Sequence, residues 1–178
     1  MAHREQQQYV NGVKSKFPQF FSNQKVLDCG SLDINGNNKH FFNNCDYTGI
    51  DVGPGRNVDI VSLIHEFDAP DESYDVIIST ECFEHDMHYE LSFQNIVRLL
   101  KPEGMFIFTC ATTGRAEHGT RRTTRGCAPL LQGEWSDYYM NVTEEHVRAA
   151  INIEDTFSEF KFQEQHPPHD LQFWGIKK

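Results

Sequence analysis

The residues best placed to do chemistry are two acids and a glycine turn. Lys25-Val26-Leu27-Asp28-Cys29-Gly30-Ser31-Leu32-Asp33-Ile34-Asn35-Gly36 carries a short apolar run that ends in Asp28 and turns at Gly30. Tyr47-Thr48-Gly49-Ile50-Asp51 carries a second short run that ends in another acid, 21 residues after Gly30. Gly30 has no Cβ, so its backbone can leave a strand in a conformation other residues resist and can approach a ligand closely. An acid at the end of the second strand can accept hydrogen bonds from both hydroxyls of a ribose. This is the outline of the first strand–helix–strand unit of a nucleotide-binding α/β sheet.

Two ligand classes use that layout, and the turn separates them. A dinucleotide needs G-x-G-x-x-G, because a pyrophosphate needs bare backbone and a helix N-terminus. Here Leu32 follows Ser31 and the next glycine is Gly36. Asp28, just before the turn, would repel a pyrophosphate. A carboxylate there suits a cationic ligand, such as the amino group and sulfonium of S-adenosylmethionine.

The elements that must position these residues follow from periodicity. Tyr9, Val10, Val13, Phe17, Phe20 and Phe21 recur at three- and four-residue spacing, which predicts an amphipathic helix over Gln7–Phe17, stopped by Pro18. Strands are predicted at Lys25–Cys29, Tyr47–Val52 and Val58–Val61, with only a brief helix across the asparagine-rich Asn35–Asn44. Ser73–Thr80 reads as the clearest buried strand, Met87–Leu100 as a helix ended before Pro102, and Met105–Cys110 as a strand opened by Gly104. Between Ala111 and Asn141 periodicity vanishes, the mark of a functional or disordered segment. Thr143-Glu144-Glu145 looks like a helix start, with the helix running towards Phe157. Phe160–Gln165 and Leu171–Ile176 then flank Pro167-Pro168 as a hairpin. The expected fold is α/β: a Rossmann-like, doubly wound, mostly parallel seven-stranded sheet with an antiparallel strand near one edge. Gly30, Asp51, Thr80 and Cys110 all fall at the carboxyl ends of strands, where such sheets bind ligands.

Composition narrows the class. The length of 178 residues predicts a single domain, and 14 phenylalanines suit a globular core. No apolar run approaches the ~18 residues of a membrane span, and the N-terminus lacks a secretory pattern. The five scattered cysteines form no C-x-x-C pair and read as reduced thiols, so a cytoplasmic location is expected. A formal charge of −10 argues against nucleic acid as a partner.

At Val-Leu-Asp-Cys-Gly-Ser, Gly-Ile-Asp, Ser-Tyr-Asp-Val-Ile-Ile-Ser-Thr-Glu-Cys-Phe-Glu-His and Leu-Leu-Lys-Pro-Glu-Gly-Met-Phe-Ile-Phe, the sequence resembles the class I S-adenosylmethionine-dependent methyltransferases. It looks most like the small type 11 branch that contains ubiquinone and menaquinone methylases. The motifs cover roughly residues 25 to 110. The resemblance implies one methyltransferase domain over 1–178, with 1–24 as a helix over the core and 111–141 as an acceptor-binding segment. It also implies that Asp28, Cys29, Gly30, Ser31 and Leu32 hold the amino-acid end of S-adenosylmethionine. Asp51 would take the ribose, Val52 the adenine face, and Leu63 and Ile64 the base. In the family an acid commonly stands at the Leu63 position, so this is a departure. Thr80 and Glu81 would line the methionine portion and the transferred methyl.

Methyl transfer needs alignment, exclusion of water and, for a hydroxyl or amine acceptor, a base. His85 and His118 are the candidates, with Glu81 and Glu84 behind them. Arg115, Arg121, Arg122 and Arg125 crowd a loop with a single glutamate, Glu117, which suggests a small anionic acceptor such as a sugar phosphate, a nucleotide-linked sugar or a carboxylate metabolite. Trp135, Tyr138 and Tyr139 are candidates to close its pocket. No metal is expected: Glu84-His85-Asp86-Met87-His88 lacks zinc-signature spacing, and His166 and His169 add nothing. A homodimer is left open. The competing readings are an NAD-binding oxidoreductase or epimerase, which lacks the three-glycine turn, and an S-adenosylmethionine-binding module without catalysis.

Overall fold

The computed structural model describes residues 3–178. Seven strands form one sheet: β1 (Lys25–Cys29), β2 (Asp46–Asp51), β3 (Ile60–Val61), β4 (Tyr74–Thr80), β5 (Leu100–Ala111), β6 (Phe157–Gln165) and β7 (Asp170–Lys177). Their order is β3-β2-β1-β4-β5-β7-β6. The first five pair in parallel, and β7 alone runs against its neighbours β5 and β6. The order reverses between β1 and β4, so the crevice that ligands use in such sheets opens beyond Cys29 and Thr80.

Strand parity sorts side chains to two faces. Leu27, Ile77, Phe106 and Phe108 point to one face, which α2 (Tyr89–Leu99) and α3 (Glu144–Ala150) cover. Val26, Val76, Ile78, Met105 and Ile107 point to the other, covered by α1 (Arg4–Lys16) through Val10 and Val13. Phe17 adds an edge-on contact with Trp174, ring centroids 4.7 Å apart. α3 starts as the sequence suggests: Thr143 caps it in a capping box with His146, and the short α4 (Ile153–Thr156) follows.

Between β1 and β2 the brief helix expected across Asn35–Asn44 is a 3-10 turn at Lys39–Phe41, and Phe41 and Phe42 join the core beside it. Two features differ from the sequence reading. β5 begins at Leu100, not Met105, because Leu100 is buried and pairs with Tyr74; the ladder resumes at Val76 with Met105 after a register shift. The predicted helix from Thr143 to Phe157 breaks at Ile151 and Asn152, where Asn152 starts α4 as its own cap. Among the described residues no helix is long and apolar enough to cross a membrane.

Candidate active site

A cleft opens where the strand order reverses, lined along one wall by Asp28, Gly30 and Ser31 and along the other by Thr80, Glu81 and His85. Gly30 has φ +80°, and a Cβ there would lie 2.5 Å from Cys82 Sγ, so both the turn and the close passage of Cys82 require glycine. The amides of Gly30 and Ser31 donate to the Ile50 carbonyl (2.9 and 3.0 Å). Asp51 completes the tie: Oδ2 accepts from the Leu32 amide at 3.0 Å and Oδ1 from the Val52 amide at 2.8 Å. Each oxygen keeps a lone pair for a ligand, and Asp51 lines the cleft with Val52, Leu63 and Ile64. The Ile64 carbonyl is already taken by Asn95 Nδ2 at 2.7 Å.

Asp28 lies beneath the turn, 2% exposed. Tyr47 donates its hydroxyl to Oδ2 at 2.5 Å, while Oδ1 is buried without a hydrogen-bond partner. Burial pushes this carboxyl up to about 7, the Asp51 charge adds to the rise, and the Tyr47 bond opposes it. Next to it, Gln6 of α1 donates to Asn38 Oδ1 (2.9 Å) and Asn38 donates to Thr80 Oγ1 (2.9 Å). A helix from outside the nucleotide unit therefore braces the cleft.

At the far end Glu81 holds a strained backbone, φ +55°, of the kind that collects at functional sites. Both its oxygens are engaged. Thr109 donates to Oε1 at 2.9 Å, and His3 Nε2 and Arg115 lie 3.3 and 3.8 Å from Oε2. His3 and Arg115 also reach Asp170, at 3.1 and 2.8 Å. Burial works against the His3 charge, yet the Asp170 and Glu81 bonds hold it at about 10. Burial likewise raises Glu81, but the His3 bond, the His3 charge and the Thr109 bond act together against it, and the net shift is downward.

The next turn, Phe83–His85, carries a different arrangement. Glu84 is fully buried with both oxygens unpartnered, and His85 is 6% exposed with both ring nitrogens unpartnered. Burial holds Glu84 near 8, aided by the Glu81 charge, and presses His85 down to about 3. His118 approaches from the segment after β5, its ring centroid 5.1 Å from that of His85 and its Nε2 3.8 Å from Glu84 Oε1.

Several expected site residues lie elsewhere. Cys29 projects from the opposite face of β1 to Asp28 and is buried in the core, so its side chain does not reach the cleft. Arg121 pairs with Asp137, and Arg122 with Glu117 and Asp137, at the surface; Arg115 is spent on Asp170 and Glu81. None of the three lines the cleft. Tyr139 packs on His118 and His85 from behind, and Tyr138 points to Met140. What the 111–141 segment does contribute is apolar: Cys127, Ala128, Pro129, Leu130, Leu131 and Trp135 line the cleft. The run Pro129-Leu130-Leu131 in a polar loop was the available signal. Asn38, Cys82 and Asp86 also line the cleft, and no pattern in the sequence marked them.

Comparison with known proteins comes to the same architecture. Residues 29–108 match the family model described as "Methyltransferase domain". A comparison with curated proteins finds no match. Among solved structures, a Haemonchus contortus phosphoethanolamine N-methyltransferase 2 in complex with S-adenosyl-L-methionine is 14% identical, with a TM-score of 0.67 over 96% of this chain and 52% of that one. This chain thus spans about half the length of that protein. A Burkholderia thailandensis 1,6-didemethyltoxoflavin-N1-methyltransferase, solved with its substrate and S-adenosylhomocysteine, is 16% identical, with a TM-score of 0.62 over 100% of this chain and 92% of that one. Sheet order, cleft and matched segment agree: residues 29–108 match the methyltransferase-domain model, and the strands around them complete the fold that these solved S-adenosylmethionine-binding methyltransferases share.

Proposed function

We propose that the chain binds S-adenosylmethionine in this cleft and transfers its methyl group to a small-molecule acceptor entering at the His85 end. The observation that carries the reading is Asp28, a buried carboxylate with a bare oxygen beside a turn that no helix follows. A diphosphate would meet a negative charge there and no helix N-terminus; a cationic amino acid would meet its partner. When bound, the donor supplies a methyl carbon already activated by a sulfonium leaving group.

The chain's own residues do the rest. Asp28 holds the amino group, Asp51 the ribose hydroxyls, and Val52 and Leu63 flank the base. Asn38 and Thr80, braced by Gln6, fix the methionine end, so that the methyl is aligned with the acceptor's lone pair. Leu130, Leu131 and Trp135 exclude water. As the new bond to carbon forms and the carbon–sulfur bond breaks, the acceptor's proton passes to the cluster of His85, Glu84 and His118. Glu81, with both oxygens committed, positions this cluster. Arg115, Arg121 and Arg122, on which an anionic acceptor rested, pair with carboxylates of the chain itself, so the reading is of a small acceptor of either charge.

Calorimetry with S-adenosylmethionine, S-adenosylhomocysteine and NAD tests the reading. Binding of the first two and not the third is expected, followed by transfer of radiolabelled methyl to members of a metabolite panel. NAD binding without S-adenosylmethionine binding would overturn it. Binding with no transfer on any acceptor would leave the inactive module as the better description.

A further inference from the structure

Two clusters of ligating side chains lie near the cleft, and they differ in one respect. In the first, His3 bridges Glu81 and Asp170 with Arg115 alongside, so every charge has an opposite beside it. In the second, Glu84, His85 and His118 each offer one ligand atom, all within 4.8 Å of one another. Among the described residues no lysine or arginine pairs with Glu84, and His118 Nε2 at 3.8 Å is beyond hydrogen-bond reach. Buried polar groups are almost always paired, so a carboxylate and an imidazole with four unpartnered atoms between them point to something that should sit among them.

The fold builds this convergence deliberately. Glu84 and His85 come from the turn after β4, and the Met140 amide fixes that turn by donating to the Glu84 carbonyl at 2.9 Å. His118 comes from the loop after the neighbouring β5, and its Nδ1 lies 3.1 Å from the Ala116 carbonyl, which turns Nε2 toward Glu84. Gly119, at φ +77°, lets that loop cross His85; a Cβ there would lie 2.5 Å from His85 Cε1. A ring nitrogen held by a backbone carbonyl while the other faces inward is how metal-ligating histidines are oriented.

We propose that Glu84, His85 and His118 bind a first-row divalent cation such as Zn²⁺, Co²⁺ or Mn²⁺. Two imidazoles and one carboxylate suit these ions better than Mg²⁺ or Ca²⁺, which prefer oxygen ligands. Three protein ligands leave a coordination position open. His85 is also a wall of the cleft, so the open position would take an oxygen or nitrogen of the acceptor. That consequence rests on the methyltransferase reading; the binding itself does not. The donor carries its own leaving group, so the cation is not needed for carbon–sulfur cleavage. Its work would be to hold the acceptor and make it easier to deprotonate; with Glu84, His85 and His118 occupied as ligands, the proton would leave to water in place of the cluster.

The test titrates Co²⁺ and Zn²⁺ into the chelator-treated full chain at pH 7.5, following heat and, for Co²⁺, visible d–d absorption. One ion per chain is expected, with Mg²⁺ much weaker. His118→Ala and the near-isosteric Glu84→Gln should each weaken Co²⁺ binding on the order of 100-fold, with near-ultraviolet circular dichroism unchanged. His166→Ala, at the exposed β6–β7 turn where His166 and His169 also meet, should change nothing. No binding by the wild type overturns the proposal, as does binding that survives both cluster variants or is lost in His166→Ala. Calorimetry of the metal-free protein with S-adenosylmethionine keeps failure here separate from failure of the donor site.

Discussion

Asp28 offers the sharpest test of the donor site, because its charge is under the control of pH. In the ligand-free protein burial holds its carboxyl near 7. A cationic amino-acid ligand needs it ionised. At pH 6 only about one-tenth of the molecules carry that charge, and at pH 8 about nine-tenths do, so affinity should climb roughly tenfold across this window and flatten above it. Binding at pH 7 should release about half a proton, which calorimetry in buffers of different ionisation enthalpy reads directly. The groups facing Asp28 are the Tyr47 hydroxyl, Asn38 and Asp51. Asp28→Asn keeps the shape and the Tyr47 contact but removes the charge. It should lose one charge-assisted hydrogen bond, about 1.5–3 kcal/mol, and with it the pH dependence and most of the proton release. Stability should move the opposite way. A carboxyl raised above its unfolded value stabilises the folded chain below the unfolded pKa, and that contribution is lost as pH rises through about 7. The free wild-type protein should therefore lose stability between pH 5 and pH 8 more steeply than Asp28→Asn. A flat affinity profile in the wild type, matched by an unimpaired Asp28→Asn, would refute the reasoning.

Further outcomes follow from the same geometry. Gly30→Ala forces a left-handed backbone and a clash with Cys82, worth about 2–4 kcal/mol together in urea denaturation; Cys82→Gly in the same chain should recover the clash and leave the backbone share. Arg121→Ala with Arg122→Ala removes only exposed pairs, so stability should change by less than about 1 kcal/mol and the acceptor KM should hold; a raised KM would return these arginines to the acceptor site. Thr143→Ala should cost about 1 kcal/mol through the cap of α3, measured by thermal unfolding.

All seven strands could be read in advance because most carry a short apolar run closed by a turn residue, β6 shows an apolar–polar alternation, and both patterns are local. That Asp28, Gly30, Asp51 and Thr80 would line one cleft was legible for the same reason: they lie at the ends of strands. Cys29 was misplaced by neglecting strand parity, which sends it to the opposite face from Asp28. The pairing of Arg115, Arg121 and Arg122 with Asp170, Asp137 and Glu117 was not legible, because sequence shows charge but not its neutralisation across the fold. The parts His3 and Gln6 play in the cleft left no trace at all, since their partners lie 32 to 167 residues away.

The asparagine-rich connection between β1 and β2 also bears on the order of assembly. Ordinarily a strand–helix–strand unit shields its own apolar face as soon as its two strands pair. Here that face waits for α1, whose packing on Trp174 cannot form until the last strand is in place. Closing so long a loop is entropically slow, so the N-terminal helix should be the final piece to lock and the first to let go. Because Gln6 braces Asn38 and Thr80, the same event that finishes the protein would also finish its binding cleft.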